Sequence, residues 1–373
     1  MMKTEIIEGN RNRERDKLLK VIKIIAVIAI VFFLFGMLVK RIIFPPYDEP
    51  AVTGSYTVKI EEFTWVDESR VETFTDTGEN RAVTVKFWYP EEKGSYPLVV
   101  FSHGAFGVID SNYSTCKELA SNGYVVASIG HPYHAIYVKD VNGQVTYADM
   151  DFVRSVYANN GTYNPETERQ IYEKSLEWMT VRKADENFVL DTILDKTKEG
   201  AGTPFCLIDS DKIGLFGHSM GGASSVQLGR ERTDIDAVID LEGTMFGEYT
   251  GFENVMEIYN SEPYPIPVLD VYGTRIVEAM NEMTDELSET IPNWQYVNFY
   301  LGENAVDYRG VMFHDAGHLN FTDLPLISPV LAKFLGVGDV DAKACIENVN
   351  QVVLAWFDHY LKDQEELNIK PEY

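Results

Sequence analysis

Hydrophobic positions along this chain fall into three regimes. The first is a run from Ile24 to Val39 without a charged or strongly polar residue. With Val21 and Ile22, and with Lys23 snorkelling, it approaches the roughly 20 residues that span a bilayer. It is apolar on all sides and basic at both ends, which argues against a buried core helix. A cleaved signal peptide fits less well: the charged leader is long, no A-x-A site follows, and Lys40-Arg41 comes directly after the run. The pattern predicts an uncleaved single-pass anchor within residues 1–44. More Lys and Arg precede the run than follow it, so the N-terminus is expected in the cytoplasm, with the main domain outside the cell membrane.

Residues 45–52, PPYDEPAV, read as a proline-stiffened linker. The second regime then opens a domain over 53–373. GSYTVKIEEFTWVDE alternates in places, and RAVTVKFWYP is rich in β-branched and aromatic residues, as half-buried strands are. In the third regime, short continuous apolar runs recur: YPLVVFSHG, YVVASIGHP, KIGLFGHS, DAVIDLEG and IPVLDVYG. Such runs suit strands buried on both faces of a parallel sheet. Helical stretches lie between them at 111–122, about 175–197, 219–230 and 274–290, and NQVVLAWFDHYLK closes the domain. This alternation predicts an α/β fold with a mostly parallel central sheet and helices on both faces. Residues 132–174 break the rhythm with a polar, tyrosine-rich stretch of no clear period. An insertion of that length is expected to serve function, cap-like at the carboxyl ends of the strands.

Charge narrows the partners. Nine of the 32 basic residues but only four of the 58 acidic ones precede residue 46, so the remainder carries 23 basic against 54 acidic residues, a formal charge of −31. Such a surface repels nucleic acid. The three cysteines, Cys116, Cys206 and Cys345, are far apart and odd in number, which predicts free thiols. No Cys/His cluster and no H-E-x-x-H run occurs, so no metal and no other cofactor is expected. Oligomeric state leaves no mark on the sequence.

The candidate chemistry lies in KIGLFGHSMGG, residues 212–222. A lone G-x-S-x-G arises by chance in about one chain in ten of this size, so its context decides. Here Ser219 follows a buried-type strand and opens the helix MGGASSVQLGR, the strand–turn–helix setting of a nucleophile. Gly217 and Gly221 let the backbone crowd at the turn, and Gly222 lets the helix approach the sheet. The helix N-terminus adds N–H groups and the positive end of its dipole. Such a serine needs a base. His318, in FHDAGHLNFTD, stands where the base falls in the order Ser…acid…His, whereas His314 is expected to pack on or beside a strand. His103 and His218 flank the expected site as supporting groups, and His131 and His134 either line the pocket or fill it.

The acid has several candidates. The loop after IPVLDVYG carries no carboxylate; Asp270 falls inside that strand and Glu278 in the following helix. One strand earlier, VIDLEGTMFGE offers Asp240 and Glu242, and Glu242 sits at the strand's end, where a side chain can reach a histidine. Asp or Glu equally well orients an imidazole and stabilises its charged form. The oxyanion needs two N–H donors. Met220, after the nucleophile, supplies one; the HGAFG loop supplies the other, from Ala105 or alternatively Phe106.

Together VVFSHGAFG, LASNGYVVASIGHPYHA, the long insertion, RKADENFVLDTIL, GHSMGG, LEGTMF and GHLNFTD resemble the platelet-activating factor acetylhydrolase family (plasma and type II forms) of α/β-hydrolases, over roughly residues 83–325. The resemblance implies the α/β-hydrolase fold, Ser219 as nucleophile, His318 as base, Ala105 as oxyanion donor and an acid at Glu242, where the family has Asp. It also implies removal of short or oxidised acyl chains from phospholipids without a metal. Bacterial polyester hydrolases and dienelactone-hydrolase-like esterases look similar but place the acid one strand later. A membrane-anchored serine ester hydrolase acting on a small-molecule or lipid ester is thus expected. Its rivals are a broad carboxylesterase or lipase and, in another class, a non-catalytic binding module on the same fold.

Overall fold

The computed structural model describes residues 28–158, 165–254, 256–274 and 296–373, together with positions 23 and 25. Positions 28–43 form a helix (α1) whose side chains are exposed except at Val39 and Ile43. Among the described residues no helix is long and apolar enough to cross a membrane. The transmembrane helix expected from the sequence is therefore not found, and residues 21, 22, 24, 26 and 27 of its span lie outside the described residues.

The strands β1 (Val58–Val71) and β2 (Asn80–Pro90) form a long antiparallel hairpin. Next, β3 (Tyr96–Ser102) leads through α2 (Tyr113–Ser121) to β4 (Val125–Gly130). A small hairpin of β5 (Tyr137–Lys139) and β6 (Val145–Tyr147), then α3 (Met150–Ala158) and the long α4 (Pro165–Lys198), precede β7 (Ile208–His218). After α5 (Met220–Glu231) and β8 (Ala237–Leu241) comes a second small hairpin, β9 (Tyr249–Glu253) with β10 (Met256–Tyr259), and then β11 (Val268–Gly273). The order closes with α6 (Tyr296–Asn304), β12 (Tyr308–Phe313), α7 (Leu324–Ile327), α8 (Pro329–Phe334) and α9 (Ala342–Leu361).

Eight strands form one sheet in the order β1-β2-β4-β3-β7-β8-β11-β12. From β4 to β12 all neighbours are parallel; β2 runs antiparallel to both β1 and β4. The continuous apolar runs became its centre because both faces are covered. Along β3, Leu98 and Val100 join the core beneath α4 and α5, while Val99 and Phe101 join the core beneath α2 and α9. In α9, Val349, Val352, Val353, Trp356 and Phe357 recur at helical spacing on the buried face. Asp341 caps that helix by accepting from Ala344 N–H at 2.9 Å.

The segment 132–174, which shows no clear period in the sequence, holds the β5–β6 hairpin, α3 and the first turns of α4. One expectation needs correction: α4 begins at Pro165, ten residues before the expected start near 175. The helix expected over 274–290 lies outside the described residues beyond Thr274. The insertion does follow the carboxyl end of β4 and is tied to the loop after β3, through Phe106 N–H to the His134 carbonyl at 2.9 Å and Ile136 N–H to the Gly107 carbonyl at 3.2 Å.

Candidate active site

Three parallel strands deliver the candidate groups at their carboxyl ends. Ser219 sits directly after β7 at φ 55° and ψ −126°, a backbone conformation that side-chain-bearing residues seldom adopt. Its N–H donates to the Leu241 carbonyl at 2.9 Å. The turn is possible because its neighbours are glycines. A Cβ on Gly217 would lie 2.2 Å from the Gly221 carbonyl carbon, and one on Gly221 would lie 2.0 Å from the Ser102 carbonyl oxygen. With no Cβ at either position, α5 starts directly against the sheet and its N-terminus points into the turn.

Glu242 occupies the corner after β8, also with a positive φ of 55°. Its N–H donates to the Val271 carbonyl at 2.7 Å, which pins the corner to β11. One carboxylate oxygen accepts from His318 Nδ1 at 2.8 Å and the other from Gly273 N–H at 2.8 Å. The carboxylate is buried whereas the imidazole is 46% exposed, so the acid is shielded and the ring remains accessible from outside. A hydrogen on Nδ1, required by the carboxylate, leaves Nε2 as the free acceptor.

The loop after β12 carries His318 in a short 3-10 turn, His318–Phe321. Asn320 Oδ1 accepts from Gly317 N–H at 2.9 Å and Gly338 N–H at 2.7 Å. Asn112 Nδ2 donates to the Phe321 carbonyl at 2.7 Å, which joins this loop to α2. His218 packs against His318, with ring centroids 4.6 Å apart, and its Nε2–H donates to the His318 carbonyl at 2.9 Å. Burial drives its pKa down to about 3, so the neutral ring acts as a spacer without adding charge beside His318.

The other carboxylates have different duties. Asp240 is fully buried and accepts from Gly243 N–H at 2.8 Å. Asp270 lies beside it, accepts from Tyr308 Oη at 3.0 Å, and is pushed up to about 7 by burial. Asn298 Nδ2 faces both. This pair braces the floor beneath Glu242; neither carboxylate bonds to His318. Glu278 lies outside the described residues.

Of the remaining histidines, His314 departs from expectation: it is exposed just past β12 and bonds to Glu372 at 3.0 Å. His131 and His134 fill the interior. His131 links Ser102 Oγ at 2.9 Å to Asp185 at 3.0 Å, and His134 stacks on Phe152 at 3.8 Å. His103 donates from Nδ1 to the Gly104 carbonyl at 2.7 Å.

The HGAFG loop passes over the serine: a Cβ on Gly104 would stand 3.0 Å from Ser219 Cβ. Phe106, at φ 59°, spends its N–H on the His134 carbonyl and is thereby removed as a second oxyanion donor. Among the described residues neither Ala105 N–H nor Met220 N–H donates to a protein acceptor. Sequence reasoning missed Arg182. Its side chain is wholly buried and reaches the His103 carbonyl at 2.7 Å and the Gly104 carbonyl at 3.1 Å. The only signal was a basic residue on the buried face of α4, one turn before Asp185 and Glu186. Among the described residues no group of three or more metal-ligating side chains occurs.

A family model described as platelet-activating factor acetylhydrolase, isoform II, matches residues 73–371. Platelet-activating factor acetylhydrolase of Cavia porcellus is 25% identical over 297 residues, 75% of this chain and 61% of that protein. The protein of the same name from Canis lupus familiaris is 26% identical over 284 residues, 71% of this chain and 57% of that one. The chain thus spans about three fifths of the length of the curated relatives it matches. A solved structure of ferulic acid esterase from Streptomyces cinnamoneus superposes with a TM-score of 0.63 at 22% identity, covering 86% of this chain and 95% of that one. That likeness bears on the fold, which is that of the α/β-hydrolases.

Proposed function

The chain belongs to the platelet-activating factor acetylhydrolase, isoform II, family, and from that premise we propose that it is a serine hydrolase of carboxylic esters working through Ser219, His318 and Glu242. The observation that carries this reading is the bond of 2.8 Å between His318 Nδ1 and Glu242, made beside a serine held at positive φ. Ser219 Oγ attacks the ester carbonyl carbon while its proton passes to His318 Nε2. Glu242 holds the ring and stabilises the imidazolium. The tetrahedral oxyanion is bound by Ala105 and Met220 N–H groups, the second aided by the positive end of α5. As the C–O bond breaks, His318 returns the proton to the leaving alcohol and an acyl-enzyme remains. Water, deprotonated by the same ring, attacks the acyl carbon and releases the acid.

For substrate, the proposal takes a short or oxidised acyl chain on a phospholipid, supported by family membership and by relatives bearing the acetylhydrolase name. Half-buried Phe106 in the HGAFG loop stacks on the exposed Tyr157, and this aromatic pair beside the loop suits an amphipathic ester. A single-pass anchor with a cytoplasmic N-terminus belongs to the same proposal. It is supported by the lipid-like exposure of Ile28, Ile30, Val31, Phe32, Phe33, Leu34 and Phe35 on α1, and by the excess of basic residues before the apolar run.

The test is hydrolysis of p-nitrophenyl esters from acetyl to dodecanoyl by the full chain in detergent, beside Ser219→Ala. The expected result is a steep fall with acyl length and no turnover by the variant. Preference for long chains would replace the short-acyl substrate by a lipase-type one, and equal rates for both proteins would remove Ser219 as nucleophile.

A further inference from the structure

A buried arginine ordinarily has a carboxylate partner, because an unpaired interior charge is expensive. Arg81 follows that rule: it meets Asp185 at 2.7 Å and Glu72 at 2.9 Å, all three buried. Arg182, one helical turn before Asp185 on α4, does not. Among the described residues no carboxylate oxygen lies within ion-pair distance of it. Its donors go to neutral acceptors: the His103 carbonyl at 2.7 Å from Nη1, the Gly104 carbonyl at 3.1 Å from Nη2, and His134 Nδ1 at 3.2 Å from Nε. The nearby acids face elsewhere. Asp185 is bound by Arg81 and His131, and Glu186 turns one oxygen to Ser224 at 2.7 Å and Ser225 at 3.2 Å while its other oxygen has no hydrogen-bond partner and makes no ion pair with Arg182. Burial lowers the Arg182 pKa to about 9, which leaves it charged at neutral pH.

The guanidinium therefore spends its charge on two successive peptide carbonyls, and the second of these defines a direction. In a trans peptide the C=O and the following N–H are antiparallel within one plane. The Gly104 carbonyl oxygen is held by Arg182 Nη2, by His103 Nδ1 at 2.7 Å and by Gly107 N–H at 3.0 Å. The N–H on the other end of that plane is Ala105's, and the loop carrying it passes over Ser219. We propose that Arg182 is a positioning residue of the oxyanion site, holding the Gly104–Ala105 peptide so that Ala105 N–H faces the reacting carbonyl and polarising that peptide with its full positive charge. A cation at the carbonyl end strengthens the N–H as a donor, because hydrogen bonds in a chain polarise one another. The flat fork of arginine spans two carbonyls at once, which the ammonium of lysine does not reproduce.

This inference rests on the ester-hydrolase reading, and the test separates the two. Full-chain Arg182→Met and Arg182→Lys would be compared with wild type and Ser219→Ala for kcat, KM, melting temperature and affinity for a trifluoromethyl ketone, whose adduct with serine carries the oxyanion. Loss of a preorganised oxyanion donor costs about 10²–10³-fold in kcat. Arg182→Met is expected to approach that loss with KM within about threefold, while Arg182→Lys retains part of the rate. Ketone affinity should fall in step with kcat/KM across the series, a correlation that a merely structural role does not produce. If Arg182→Met does not fold, Arg182→Lys decides alone, expected about tenfold down in kcat and in ketone affinity. A folded variant with wild-type kcat and wild-type ketone affinity overturns the role of Arg182 and leaves the triad standing. A wild type no more active than Ser219→Ala overturns both.

Discussion

Glu242 reaches His318 from the corner after β8, and Gly273 N–H, at the end of the neighbouring strand β11, holds the oxygen that His318 does not use. The carboxylate is therefore clamped between two strands and the loop that follows a third, and the imidazole has one orientation open to it. Replacing Glu242 by Gln keeps an acceptor for Gly273 but offers His318 an amide donor, which favours the tautomer with the proton on Nε2. We expect kcat to fall by about 10²–10⁴-fold with little change in KM. Glu242→Asp, shorter by one methylene, cannot keep both bonds and should retain an intermediate rate. Steady-state kinetics on an acetyl ester, with circular dichroism to establish folding, measure both.

Ser219→Ala removes the proposed nucleophile without altering the turn. Ester hydrolysis is expected to fall by at least about 10⁴-fold, labelling by a fluorophosphonate probe to vanish, and the melting temperature to stay within a few degrees. Labelling of the variant at wild-type rate would place the nucleophile elsewhere.

Gly217→Ala tests the packing behind the turn. The added methyl would stand 2.2 Å from backbone that has no flexible side chain to move. The turn must open, at a cost of about 2–4 kcal/mol in stability, and a displacement of about 1 Å at Ser219 is enough for a 10²-fold loss of rate. Denaturant titration and kcat on the same preparation check both effects.

Glu186 gives a pH dependence with a defined sign. Burial raises its pKa from 4.5 to about 7 in the fold. The native state thus holds a proton that the unfolded chain has lost, and stability falls as pH rises from about 4.5 through 7. Glu186→Gln removes this dependence. Relative to wild type the variant should gain stability with rising pH and level off above pH 7, by up to about 3 kcal/mol for a shift of this size. Urea titrations at pH 5 and pH 8 measure it; an equal difference at the two pH values contradicts the assignment.

The four buried histidines act in the opposite sense. Burial pushes His103, His131, His134 and His218 below their ordinary value. Unfolding releases them to take up protons, so their contribution is complete above about pH 6.5 and is lost as pH falls below it. His218→Phe, which keeps the packing against His318 but cannot be protonated, should lessen the stability lost between pH 6.5 and 4. Denaturation midpoints across that range read the difference.

Local chemistry made part of this protein legible from the chain alone. A strand buried on both faces must be continuously apolar, so β3, β4, β7, β8 and β11 stood out in the sequence. A serine forced to positive φ between a strand and a helix needs glycines around it, so Ser219 stood out too. Glu242 and His318 were readable as candidates because each follows a strand at its carboxyl end. What joins them, 76 residues apart, is strand order, and strand order is a property of the sheet. The parallel pairing of β8 with β11 and of β11 with β12 brings Glu242 beside Gly273 and the loop bearing His318, while Asp240 and Asp270, equally acidic in the sequence, face Asn298 and Tyr308. The insertion resisted reading because its short hairpin and α3 gain order from contacts with the loop after β3, which no local period records. Arg182 resisted for the same reason: its partners are backbone carbonyls, and a carbonyl has no signature in the sequence. Only the tertiary structure places that charge on the carbonyls of the loop that passes over Ser219.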